Sequence, residues 1–283
     1  MNHIFKRVVV ILNEIENIDS LLKKAIDFSK KHKTSLEVLF VDEKPFFQLP
    51  DYFSSSNKSV DNKMSIVEIK REVDNRLKAL GYLDAVSILV RIDDTFDQVL
   101  EYGKGSKEIL FITAYHEALN VELLKKTPYS FWILKGNEDT YTDILLPIDL
   151  NSKSVDVIKL TQHIFPTNRI SMLHDYHYSS NLSMTEDSHL KTTPVVSKID
   201  VTMNKNLKEK QRQLFEEYKK EFNLGGEFIE EKKGLENDLV EYIETHHSDL
   251  VVMNHQDVDL FSSPSLMVKL LHRVPRDFLL FNI

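Results

Sequence analysis

The chain has 283 residues, of which 42% are hydrophobic and 28% charged, with a net charge of -8. That is enough apolar material for one large core or two medium ones, and the acidic balance argues against a broad electrostatic grip on nucleic acid. No cysteine is present, which excludes disulfides, cysteine–zinc sites, iron–sulfur clusters and thiol catalysis and fits a reducing compartment.

The first apolar run, Val8–Leu12, stops at Asn13 and Glu14, far short of a signal-peptide core. No stretch approaches the ~20 apolar residues of a membrane-spanning helix. A cytoplasmic protein with no membrane partner is expected. Leu21, Leu22, Ala25, Ile26 and Phe28 then show helical spacing, and Leu36–Val41 reads as a strand. A charged helix over Ile66–Leu80 stops near Gly81, which suits a C-terminal cap. The strand Ala85–Ile92, a helix over Phe96–Tyr102, the strand Ile109–Ile112, a short helix around Leu119–Lys126 and the strand Phe131–Leu134 follow.

The order then starts again. Val8–Asn13 is matched by Asp143–Asp149, and Asp97–Tyr102 by Asn237–Tyr242. Ile109–Ile112 is matched by Leu250–Met253, and Phe131–Leu134 by Phe278–Phe281. Four matches in one order mark an internal duplication. The second copy carries a long charged helix over about Leu207–Phe222, ending before Gly225-Gly226, and the polar stretch Gly136–Thr140 is the natural boundary. Alternating strands and helices predict a parallel sheet with helices on both faces. Two segments, 43–63 and 177–204, read as long loops over the carboxyl edge of the sheet. The first carries the aromatic residues Phe46, Phe47, Tyr52 and Phe53, read as local core or as a contact for a partner or apolar ligand.

This rhythm, twice over, resembles the universal stress protein family in its tandem form. The likeness is carried by His246–His255, similar to the family's fourth strand and following loop, and by Leu266–Phe281, similar to its last helix and strand. Asp143–Ser154 resembles its opening strand with a terminal Asp, whereas the first copy carries Asn13 there. The resemblance implies two adenine nucleotide alpha hydrolase-like domains, 1–137 (degenerate) and 138–283, each a five-stranded parallel doubly wound sheet. It also implies that Phe131–Leu134 and Phe278–Phe281 pair within one chain as a pseudo-dimer. Two apolar edge strands gain by such pairing. Two independent domains on the Gly136–Thr140 joint, or a homodimer of whole chains, stay open.

In a doubly wound sheet a ligand sits beyond the carboxyl ends of the strands where their order reverses, between the first and fourth strands of each copy. ATP-binding members place a glycine-rich loop there, whose backbone can approach phosphates. This sequence has no glycine between Leu235 and Ile283, and the loop Asn254–Asp259 brings Asp257 and Asp259 instead. Gly103-Lys104-Gly105 is half a dinucleotide fingerprint in the context of a helix end. A vestigial nucleotide site is therefore expected at Asp149, Asn254, His255, Ser263 and Ser265, with no cofactor. Asp149 reads either as a ribose or adenine contact, by resemblance, or as a cap on the following helix, a role Asn13 would share. Ser263 and Pro264 read as ordinary capping, with an anion contact at Ser265 as the alternative. His174 and His177, three apart in a strand, face opposite ways, so no metal site is expected. The expected function is a non-catalytic stress-response factor that binds a small ligand or protein partner. The alternative is an ATP-binding or slowly hydrolysing switch using the second domain.

Overall fold

The structure, a computed structural model, describes residues 5–43, 64–106, 108–136, 140–176, 198–255 and 264–283, without the side chains of 198–204 and 264–265. Apolar runs form the strands β1 (Arg7–Leu12), β2 (Ser35–Asp42), β3 (Ser87–Ile92), β4 (Ile109–Ala114) and β5 (Ser130–Leu134). The helices α1 (Asp19–His32), α2 (Ile66–Ala79), α3 (Thr95–Gly103) and α4 (Glu117–Lys126) alternate with them. The second round supplies β6 (Asp143–Pro147), α5 (Ser152–Ile164), β7 (Arg169–Tyr176), α6 (Lys198–Phe222) and β8 (Gly225–Glu230). It ends with α7 (Leu235–His246), β9 (Leu250–Asn254), α8 (Pro264–Arg273) and β10 (Asp277–Phe281). This is an α/β fold, and within each unit the described strand pairs are parallel except where β10 meets β5.

The chain divides into two compact units, 1–140 with 275–282, and 141–274 with Ile283. In the first, the strand order is β3-β2-β1-β4-β5-β10. Val8, Val9 and Val10 of the central β1 are wholly buried, because helices cover both sides of the strand. The order reverses after β3, and right-handed crossovers then carry α3 and α4 to the face opposite α1 and α2. The ladder between β5 and β10 sets Phe278 opposite Ile133, Leu279 opposite Trp132 and Leu280 opposite Phe131. Phe281 stacks on Phe5 at 6.3 Å, and the N–H of Asn282 donates to Ser130 Oγ at 3.0 Å. These contacts place β10 with the first unit, so the described strands divide six and four between the units.

In the second unit the order is β9-β6-β7-β8. Asp249 fastens its opening strand: its carboxylate accepts the N–H groups of Thr142 at 2.7 Å and Asp143 at 3.0 Å. Helix α6 begins at Lys198, ahead of the expected Leu207. Thr and Asn are weak helix formers, so a stretch that carries them reads as loop from sequence pattern. Gly226 in β8 has a φ of +138°, and a Cβ there would lie 2.1 Å from the carbonyl oxygen of Met172. Only glycine fits that approach.

The half-fingerprint at Gly103 is a packing feature. A Cβ there would fall 2.4 Å from the Tyr129 ring, so the bare backbone lets that ring close over the end of α3.

Candidate functional site

The carboxyl edge of the second unit gathers polar side chains into a buried setting. After β6, the N–H of Ile148 donates to Leu173 O at 2.9 Å, and the chain turns through Leu150, whose φ is 58°. Asn151 then caps α5, accepting the N–H of Ser154 at 2.9 Å while Ser154 Oγ accepts the N–H of Asn151 at 3.3 Å. The reciprocal pair satisfies two of the free donors of the first turn. The cap is therefore Asn151. Asp149, which could be read from sequence as the cap, lies before it and half-buried.

Asp149 lines a small cavity with Asn254, Lys153 and Ser154. Its volume is about 10 Å³, room for about one water molecule. Small-molecule sites run to roughly 300–1,000 Å³. That cavity by itself is smaller than a nucleotide site, and the loop that would flank it, 256–263, lies outside the described residues. Asn254, ending β9, is 8% exposed, and His255 is 1% exposed. Ser263, Asp257 and Asp259 lie outside the described residues, as do the Ser265 side chain, His177, most of the two long loops and the aromatic residues Phe46 to Phe53.

The end of β7 adds two residues that the sequence reading left out of the site. His174 is buried, with Nδ1 2.7 Å from the carbonyl oxygen of Ile148. Burial pushes its imidazole below the ordinary value, against the opposing pull of the Ile148 carbonyl and the Gln211 side chain. Asp175 beside it is wholly buried. A carboxylate enters such a place only with compensating partners. The signal was available in the duplication. The register sets Arg7 opposite Ser35 in one copy and Asp143 opposite Arg169 in the other, so His174 and Asp175 occupy the places of Phe40 and Val41.

The first unit keeps those places apolar and ties its edge shut. Asn13 is not a helix cap: α1 begins after Ile18, which makes no side-chain capping bond. Instead Asn13 Nδ2 donates to Thr95 Oγ1 at 2.6 Å and to Val41 O at 3.3 Å. Thr95 Oγ1 in turn donates to Glu43 at 2.5 Å. Beyond β4, the N–H of Tyr115 donates to Leu134 O at 2.8 Å, and the Lys135 ammonium lies 4.2 Å from the centre of the Tyr115 ring. The first copy is cross-linked internally where the second collects buried polar groups.

His246 and His247 end α7. His246 stacks on Tyr242 at 3.8 Å, and His247 takes the left-handed conformation after the helix, with a φ of 52°. No helix among the described residues is long and apolar enough to cross a membrane.

No family model matches the chain, and no curated protein matches it. Solved structures do, over 98% of its length. One, provisionally assigned as a universal stress protein from Pseudomonas aeruginosa UCBPP-PA14, has a TM-score of 0.68 at 12% identity, with 93% of that chain covered. A universal stress protein from Archaeoglobus fulgidus DSM 4304 has a TM-score of 0.60 at 10% identity, with 97% covered. The fold is that of universal stress proteins. A functionally unknown protein from Pseudomonas aeruginosa PAO1 is also similar to this chain, with a TM-score of 0.68 at 10% identity and 92% of that chain covered. Within this fold the candidate site lies beyond the carboxyl ends of β6, β7 and β9, where the strand order reverses.

Proposed function

We propose that the chain is a tandem universal stress protein, with copies 1–137 and 138–283, most like universal stress protein E. It acts in the cytoplasm as a stress-response factor, by binding a ligand or partner at the second copy without turning over a substrate. One observation carries this reading: the buried polar groups His174, Asp175, Asn254 and His255 sit at one strand edge of the second unit, with Asp149 beside them. Buried polar groups cost stability unless they are satisfied, so their concentration at the ligand edge of a doubly wound sheet favours a binding role. The phosphate grip of ATP-binding members is lost in this reading, because the loop after β9 has aspartates in place of glycines.

The test is thermal unfolding with and without excess ATP and magnesium. A ligand held only by the native state at ~100 times its Kd adds roughly 2.7 kcal/mol and raises the midpoint. No shift at millimolar ATP supports the reading. A saturable, magnesium-dependent shift that is lost in Asp149→Ala overturns it in favour of an ATP-binding switch.

A further inference from the structure

The opposite, amino edge of the second unit holds a recess unrelated to the site above. Its counterpart in the first unit shows what such a place can take. There Arg7 forks onto Glu37 at 2.8 and 2.6 Å, and Tyr102 donates its phenol proton to the same carboxylate at 2.5 Å. The Arg7 guanidinium lies 5.0 Å from the centre of the Tyr102 ring. The first unit thus carries a built-in guanidinium held by one carboxylate and one tyrosine.

The second unit keeps the tyrosine and drops the other two. Tyr242 stands in the place of Tyr102, Asp143 in that of Arg7 and Ser171 in that of Glu37. A recess of about 280 Å³ opens there, lined by Ser171, Gly226, Glu227, Tyr242 and Ser248 and bounded by Asp143 and Arg169. A second hollow of about 420 Å³ adjoins it, sharing Glu227, Tyr242 and His246. Tyr242 as a whole is 9% exposed, and its phenol oxygen makes no hydrogen bond to the described residues.

The charges around the recess are unevenly settled. Asp143 is already paired with Arg169. Glu227, from β8, faces the Tyr242 phenol and, among the described residues, is ion-paired with the His246 imidazole, at 3.5 Å. A planar cation with several N–H donors matches what remains: a carboxylate to fork onto, a phenol oxygen to accept, two serine hydroxyls and an aromatic ring.

We propose that this amino-edge recess binds a small guanidinium-bearing ligand, which takes the place that Arg7 fills in the first unit. Glu227 supplies the countercharge and Tyr242 a hydrogen-bond acceptor and an aromatic wall.

Calorimetric titration of the full chain with butylguanidine tests this, with the neutral isostere butylurea and inorganic phosphate as controls. The expected result is saturable one-to-one binding of butylguanidine and none of either control. Glu227→Gln weakens it at least about tenfold, as loss of a charge-assisted pair does. Glu227 is 55% exposed, so this variant keeps its fold, which the circular dichroism spectrum and unfolding midpoint verify. Tyr242→Phe, which removes only the phenol oxygen, also weakens binding. Absence of saturable butylguanidine binding below about 10 mM, equal binding of butylurea or phosphate, or unchanged affinity in folded Glu227→Gln overturns the proposal.

Discussion

The carboxylate of Asp277 accepts the backbone N–H of Lys135 at 2.7 Å across 142 residues of sequence. The same oxygen accepts the N–H of Gly136 at 2.9 Å, and Asp277 is 1% exposed. It closes the end of β5 from the strand that pairs with it. Asp277→Ala is expected to destabilise the first unit by about 1–3 kcal/mol, because two part-buried donors lose a charged acceptor. Asp277→Asn, which keeps an oxygen, costs about half as much. Urea unfolding of both variants checks the order.

The Arg7–Glu37–Tyr102 cluster gives a pH dependence on both sides of neutrality. Burial, then the hydrogen bond to Glu37, pushes the Tyr102 phenol from 10 up to about 12. The unfolded chain therefore loses that proton first, and the stability from this group is present below pH 10 and lost as pH rises toward 12. For Glu37, burial pulls upward, but hydrogen bonds from Arg7 and Tyr102 hold its carboxyl below the ordinary value of 4.5. Its contribution is present above that value and fades as pH falls beneath it. Tyr102→Phe should make the fall in unfolding midpoint between pH 10 and 12 shallower, and Glu37→Gln should do the same on the acid side.

Asp149 and Asn151 are separable by mutation. Asn151→Ala removes the cap of α5 and is expected to cost about 1 kcal/mol. Asp149→Asn leaves that cap intact and should cost less than Asn151→Ala. Equilibrium denaturation distinguishes the two. The reverse order would make Asp149 the residue that holds the turn.

His174 adds a nearer-neutral titration. Because burial depresses its pKa from 6.5, the unfolded chain takes up a proton more readily below that pH. The stability from this group is present above pH 6.5 and lost as pH falls through the folded value. His174→Gln should flatten the stability profile below pH 6.5, measured by urea midpoints at half-unit steps.

Much of the scaffold was legible because each copy writes its strands as unbroken apolar runs, such as Val8–Leu12, bounded by polar breaks. The site was less so. Asp149 and Asn13 both follow an opening strand and both are good capping residues, yet neither caps. Which of several adjacent polar residues takes the cap depends on backbone turns, here through Leu150, that pattern alone does not reveal. Asp175, in the stretch His174–His177 weighed for a metal, is not placed in the ligand site by sequence, because a charged residue in a strand reads as an outward-facing position until burial is known. Comparing Phe40-Val41 with His174-Asp175 would have exposed it. The amino-edge recess required the structure, since it comes from side chains of four separate elements.

The crossing of β10 into the first unit has a consequence for synthesis. β5 is made early, and its apolar edge has no antiparallel partner until another 142 residues have been translated to Asp277. At ~5–20 residues per second that interval lasts roughly 7–28 s on the ribosome. During it Phe131, Trp132 and Ile133 form an open strand edge of the kind that recruits other chains. Crowded polysomes translating this message would thus favour exchange of β10 between neighbouring nascent chains, and a slower codon rhythm after β5 would lengthen that exposure.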